Sequence, residues 1–451
     1  MNRRQFLATT AVTAAAAAMA SKLEVERVEA EKASGKTVVT LMYASGDFTP
    51  ANKAEFQKLN PDIQIRQIDV NQTTLNAMIA AGSPPDIISA HYYDIPSFVL
   101  RNQIQDITSY LQKSSVIKMS DLAPIANAYR WDPKKLAYDT GSYWGLCKDW
   151  SQDGTMWYNK ALLSAAGLSV PDLSTAPNFN DLISLGEKLT VRQSGAVKVF
   201  GLDLAYDWGH AARHFMHLMS TMAKGSSFYS ADGTTCDFGS ANATTVLQAA
   251  VNWGKANIGP GAITADSSGC NTRLINGRSA MIMQGEWIVG PLMTGSTTGG
   301  PVSNIADFVL GPAPVLGSYR VSETYFSQGF VMSAGSKVKD AAWKLVEYFF
   351  GPKGADERAK IGWGEPGLKS AFQYFPKTGA AAEWYNSTQT EAKYFATMPY
   401  SPYASSDDVN SVMLNEIANV ILGKETLAQA QANMTSQVNA KLAAGKASLL
   451  G

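Results

Sequence analysis

The sequence predicts an α/β protein in two domains, and three observations carry that prediction. At 451 residues the chain is longer than one hydrophobic core usually supports. Its N-terminal part alternates strand-like and helix-like segments across short connections. A second alternation of the same kind begins at Met156.

The elements follow in order. "TVVTLMYAS" (37–45) is β-branched, continuous and closed by Gly46, as a buried strand requires. "PANKAEFQKLNP" has helical spacing and stops at Asn60-Pro61. "DIQIRQIDV" alternates as a second strand, "NQTTLNAMIAAGSPP" is a helix ending at Gly82, and "DIISA" is a third strand. Short strand-helix-strand connections imply a mostly parallel sheet covered on both faces. Ligands of such sheets sit beyond the carboxyl ends of the strands, which singles out Tyr43 to Asp47 and His91 to Asp94.

In the second region "MWYNKALLSAAGL" turns from strand to helix before Gly167. "FNDLISLGEKLT" and "TTVLQAAVNWGKAN" are helices, and "VFGLDLAY" is a strand. Ala280 to Met283 form a short apolar strand that stops at Gly285-Glu286-Trp287. "DFVLGPAPV" and "GFVMSAGS" are strands, "DAAWKLVEYFFG" is a helix, and Gly423 separates two C-terminal helices.

Composition excludes several functions. Lys plus Arg and Asp plus Glu number 38 each, so no net basic field exists to hold nucleic acid or an anionic membrane. The 10 Trp and 18 Tyr suit binding surfaces, because each joins an apolar face to a polar handle. Three cysteines (147, 236, 270) are too few for a disulfide framework and match no zinc spacing; whether Cys236 and Cys270 pair is left open. His210, His214 and His217 share a helix face, read as packing, with metal binding the alternative. HExxH, Walker A and GxSxG motifs do not occur.

The N-terminus, "MNRRQFLATTAVTAAAAAMASK", has Arg3-Arg4, a short apolar stretch and small residues near 18–20. It reads as a cleaved export signal over residues 1–20 and resembles the twin-arginine type. A charged leader follows over 21–36. No cysteine lies near the cut, so a periplasmic or other extracytoplasmic protein without a lipid anchor is expected.

The order of segments resembles the extracellular solute-binding proteins of the maltose-binding type, receptors of carbohydrate ABC importers. The resemblance rests on "FQKLNPDIQIRQIDV", "IAAGSPPDIISAHYYDIPSFVLRNQIQDITSYL" and "YWGLCKDWSQDGTMWYNKALLSAAGL". It continues through Leu274 to Met281, "GSKVKDAAWKLVEYFFGP" and "GKETLAQA". Two departures stand out: the family's Gly-Leu-Pro reads Gly145-Leu146-Cys147, and its glycine pair before the late strand reads Gln328-Gly329.

The resemblance implies a periplasmic-binding-protein-like fold, with two α/β lobes joined by hinge segments around an interlobe cleft. The first lobe is expected over 37–150 and 311–352, the second over 151–310 and 353–451. It also implies binding of a sugar, oligosaccharide or polyol by hinge closure, delivery to an inner-membrane ABC permease, a monomer, and no cofactor or metal. Trp287 is then an aromatic platform for the apolar face of a sugar ring, with Glu286 beside it.

The same logic nominates Tyr43, Asp47, Tyr92 and Asp94 after strands, Trp150 at the first crossing, and Trp208 after "VFGLDLA". Gln328 precedes the late strand, Trp363 and Glu365 lie in "GWGEPG", and Tyr403 sits among prolines. Each has a plainer alternative as turn, cap or core. A secreted glycosidase using two of the carboxylates is the alternative function.

Overall fold

The structure, a computed structural model, describes residues 35–204, 210–222, 228–258, 269–294, 305–320, 326–394, 397–398 and 400–450. The signal, most of the leader and Trp208 lie outside the described residues.

The chain opens with β1 (Thr37–Met42), α1 (Pro50–Leu59), β2 (Ile63–Ile68), α2 (Gln72–Ala80) and β3 (Ile87–His91). Thr49 starts α1 through a capping box with Asn52, each side chain bonding the other residue's backbone N–H. Asn71 caps α2, and Gly82 leaves that helix at φ +72°, where a side chain would be strained. Further along come β4 (Gly145–Ser151), β5 (Met156–Asn159), α3 (His210–Met222) and α4 (Ala241–Trp253). The remaining elements are β6 (Met281–Met283), β7 (Phe308–Gly311), β8 (Phe326–Met332), α5 (Lys339–Phe349), β9 (Glu365–Pro366), α6 (Gly379–Glu391), α7 (Ser406–Ile421) and α8 (Leu427–Leu450).

These elements gather into two compact units. Among the described residues, the first comprises those within 35–148, 328–355 and 367–370, and the second those within 149–320, 326–327, 356–366 and 371–450. In the first unit the strands run β4-β8-β3-β1-β2. β1 pairs parallel with β2 and β3, whereas β8 joins β3 antiparallel. The expected parallel pairing thus holds where helical crossovers join the strands. A strand arriving from 240 residues later has no crossover to constrain its direction. Gly329 of β8 lies against the Leu146 carbonyl and the Tyr129 hydroxyl, so a side chain there would part β8 from β4.

In the second unit β5 is central, pairing antiparallel with β6 and β7. "VFGLDLAY" lies along β6 in parallel bridges, Phe200 to Ser279 and Asp203 to Ile282. The mostly parallel sheet expected of both lobes is therefore confined to β1–β3 and this edge. Trp157, Ile282, Phe308, Leu310 and Trp384 share one core cluster. The Trp157 and Trp384 rings meet edge-on at 4.8 Å, and each indole N–H donates to a backbone carbonyl. Buried Arg273 binds Asp203 at 2.7 Å, tying the last turn before β6 to the neighbouring segment.

All three cysteines are buried, and none of them forms a disulfide. His214 and His217 are buried on α3, where burial pushes their imidazoles down to about 3 and about 4 and keeps them neutral. Among the described residues no group of three or more His, Cys, Asp or Glu could hold a metal ion. No helix of the described residues is long and apolar enough to cross a membrane.

Candidate functional site

The second unit concentrates aromatic and acidic side chains at one place. β6 delivers Gln284, and the chain then turns at Gly285, whose backbone lies against the Asp153 carboxylate and the Ser151 hydroxyl. Only a residue without a side chain tolerates that approach. A short 3₁₀ turn over Glu286–Ile288 then sends adjacent side chains to different surroundings. Trp287 stays partly exposed, and its indole N–H donates to Gln284 Oε1 at 3.2 Å. Glu286 is buried.

β9 brings the matching half. Glu365 pairs with Trp150 and Pro366 with Asp149, antiparallel. The partly exposed Trp150 donates its indole N–H to the Pro366 carbonyl at 3.3 Å. The Trp363 ring lies against Gly290, and Gly364, at φ +68°, sits beside Asp149 and Trp287. Three partly exposed tryptophans (150, 287 and 363) therefore lie on the segments that carry Asp149, Glu286 and Glu365.

Those carboxyls meet on α6. Gln389 donates to Glu365 Oε1 at 2.7 Å, and Thr388 donates to Glu286 Oε2 at 3.5 Å. Burial raises the Glu286 carboxyl well above its usual range, and the Glu365 charge adds to the effect. Glu365 is also raised, again by burial. Asp153 is pushed up to about 7 by burial, against the Ser151 hydroxyl that donates to it at 2.5 Å. Tyr385 is pushed up to about 12 by burial and by both glutamates. A site of protonated and ionised carboxyls among indole faces can both donate to and accept from hydroxyl groups, while covering apolar C–H surface.

Several expected residues are placed otherwise. Tyr43 is fully buried, edge-on to Phe349 and Phe350 at 5.6 and 6.0 Å, so it belongs to the core of the first unit. Tyr92 is likewise core, packed against Tyr93 and Tyr138. Both lie one residue beyond a strand, where residue order leaves the direction of the side chain undetermined. Tyr403 packs beside α8, with the Lys446 ammonium 5.8 Å from its ring centre.

Three candidates occupy the strand ends of the first unit. Asp47 pairs with the buried Lys148 at 3.1 Å, so that lysine bonds across the unit and not only along its own strand. Asp94 accepts the His91 backbone N–H at 2.9 Å. Gln328 is in register with His91 and donates to Ser89 at 3.2 Å.

Residue patterns missed Asp153, Gln284, Tyr385, Thr388 and Gln389. Asp153 sits in "SQDGT", which reads as an ordinary turn, and α6 shows no strong apolar stripe in "GAAAEWYNSTQTE".

Comparison with known proteins adds the following. The model of a family described as bacterial extracellular solute-binding protein matches residues 43–356. No curated protein matches the chain significantly. Many solved structures share the fold. An ABC substrate-binding protein of Listeria monocytogenes, in complex with cycloalternan, superposes with a TM-score of 0.71 at 20% identity, covering 90% of this chain and 99% of that one. An ABC transporter solute-binding protein of Thermotoga lettingae, bound with α-D-tagatose, gives 0.72 at 16% identity, covering 90% and 100%. One from Agrobacterium vitis, with bound D-mannitol, gives 0.68 at 19% identity, covering 91% and 99%.

Proposed function

The chain belongs to the bacterial extracellular solute-binding proteins, and from that premise we propose that it captures a sugar, oligosaccharide or polyol for an ABC importer. The observation that carries this reading is that three partly exposed tryptophans, Trp150, Trp287 and Trp363, lie on the segments that carry the buried Asp149, Glu286 and Glu365. Sugar and polyol carbons present C–H faces that indoles cover, and their hydroxyls bond the carboxyl and amide groups between the rings. The solved neighbours bound to cycloalternan, tagatose and mannitol support that ligand chemistry.

Capture by hinge closure belongs to the proposal, with lobes over 37–150 plus 311–352 and 151–310 plus 353–451. Ligand shifts such an equilibrium only by binding the closed form better than the open one. So do export through a twin-arginine signal, a monomeric unlipidated product, docking on a membrane permease, and binding without turnover.

A thermal-shift screen of neutral sugars and polyols tests the reading, with each ligand recovered afterwards and checked for cleavage. At 100 times its dissociation constant, a ligand should stabilise the protein by about 2.7 kcal/mol and emerge intact. Hydrolysed glycoside among the recovered ligands would refute the receptor reading in favour of a carboxylate-pair hydrolase.

A further inference from the structure

The Trp-lined cluster holds more ionisable acids than a neutral ligand needs. Asp149, Asp153, Glu286 and Glu365 are all nine-tenths or more buried. Arg213 of α3 acts on Asp153 and also bonds Asp407 at 3.0 Å. Glu286 and Glu365 converge on consecutive residues of one helix, Thr388 and Gln389. Glu286 Oε1 is buried and lacks a hydrogen bond of good geometry among the described residues, while the backbone N–H groups of Glu286 and Gln152 and the carboxyls of Glu365 and Asp153 all act on its carboxyl group.

A hydroxyl group can bond such an oxygen but supplies no counter-charge against which the buried acids could ionise. An ammonium group supplies donors and opposite charge together, and indole faces favour cations as well. A metal ion does not suit the cluster, because no described group of three or more such ligands could hold one. An anionic ligand would oppose that ionisation.

We infer that the natural ligand is cationic: an amine-bearing sugar or polyol whose ammonium group sits between Glu286 and Glu365 while an indole covers its carbon face. This rests on the receptor reading above and narrows it to a charge class.

The test uses the full mature protein in phosphate buffer, since Tris is itself an amine-bearing polyol. Matched probes are titrated by calorimetry and tryptophan fluorescence: glucose against glucosamine, sorbitol against N-methylglucamine, and N-acetylglucosamine as a neutralised amine. At least one amine should bind ten or more times more tightly than its neutral partner. Glu286→Gln and Glu365→Gln, each first checked by circular dichroism, should cut that preference to near one. Neutral members binding as well as or better than the amines would overturn the charge assignment and leave the receptor reading standing. Silence from every amine up to 100 mM overturns it too, and silence from both classes counts against both readings.

Discussion

Asp153→Asn should flatten part of the pH dependence of stability. Asp153 is 3% exposed, and burial outweighs the Ser151 hydroxyl and the Arg213 charge, so its carboxyl loses its proton only near pH 7. In the unfolded chain the same group ionises near 3.8. Because the folded pKa is the higher one, the folded state binds the proton more tightly. The stability it contributes is complete below 3.8, declines as pH rises, and is fully lost once pH passes about 7. At about 1.36 kcal/mol per unit, the span amounts to roughly 4 kcal/mol, of which about 3 kcal/mol falls between pH 5 and pH 8. Asparagine keeps the shape and the Ser151 partner but does not titrate. Urea unfolding at the two pH values, followed by tryptophan fluorescence, gives the comparison. The parent protein should lose about 3 kcal/mol more than the variant on going from pH 5 to pH 8. Glu286 and Glu365 drive stability in the same direction in both proteins, so they largely cancel in the difference. Equal losses in the two proteins, or a greater loss in the variant, would refute the burial argument.

Trp287→Ala should weaken sugar or polyol binding by about 30-fold or more, measured by calorimetry, with little change in melting temperature because the ring is partly exposed. Gly285→Ala would press a methyl group onto Asp153 and Ser151. It should cost about 1–3 kcal/mol in denaturant unfolding and shift the emission of Trp287. Asp203→Ala would strand the buried Arg273 guanidinium, and the loss should reach about 3–5 kcal/mol by the same measurement, far from any effect of ligand.

Local patterns carried much of the fold. Thr49, Asn71, Gly82 and Gly423 mark helix ends by side-chain capping or by left-handed backbone, effects contained within a few residues. The strands β1 to β3 are legible for the same reason, since β-branched runs between such markers admit few other conformations. Helix α3 was legible only through the spacing of its histidines, because "HAARHFMHLMSTM" buries polar residues on a helix whose partners lie elsewhere in the chain. Helix α6 was hidden by its alanines and small polar residues.

By itself the sequence determined the order of β1 to β3 with their helices and the solute-binding class, because each is written in contiguous residues. Which aromatics reach a surface was decided only by tertiary structure. Tyr43 and Tyr92 follow strands just as Trp287 does, yet they turn into the core, since the neighbours that enclose them come from distant segments. The meeting of Glu286 with Glu365 was decided there too. Two acids 79 positions apart acquire a shared electrostatic fate only when β6, β9 and α6 fold against one another and exclude the water that would screen them.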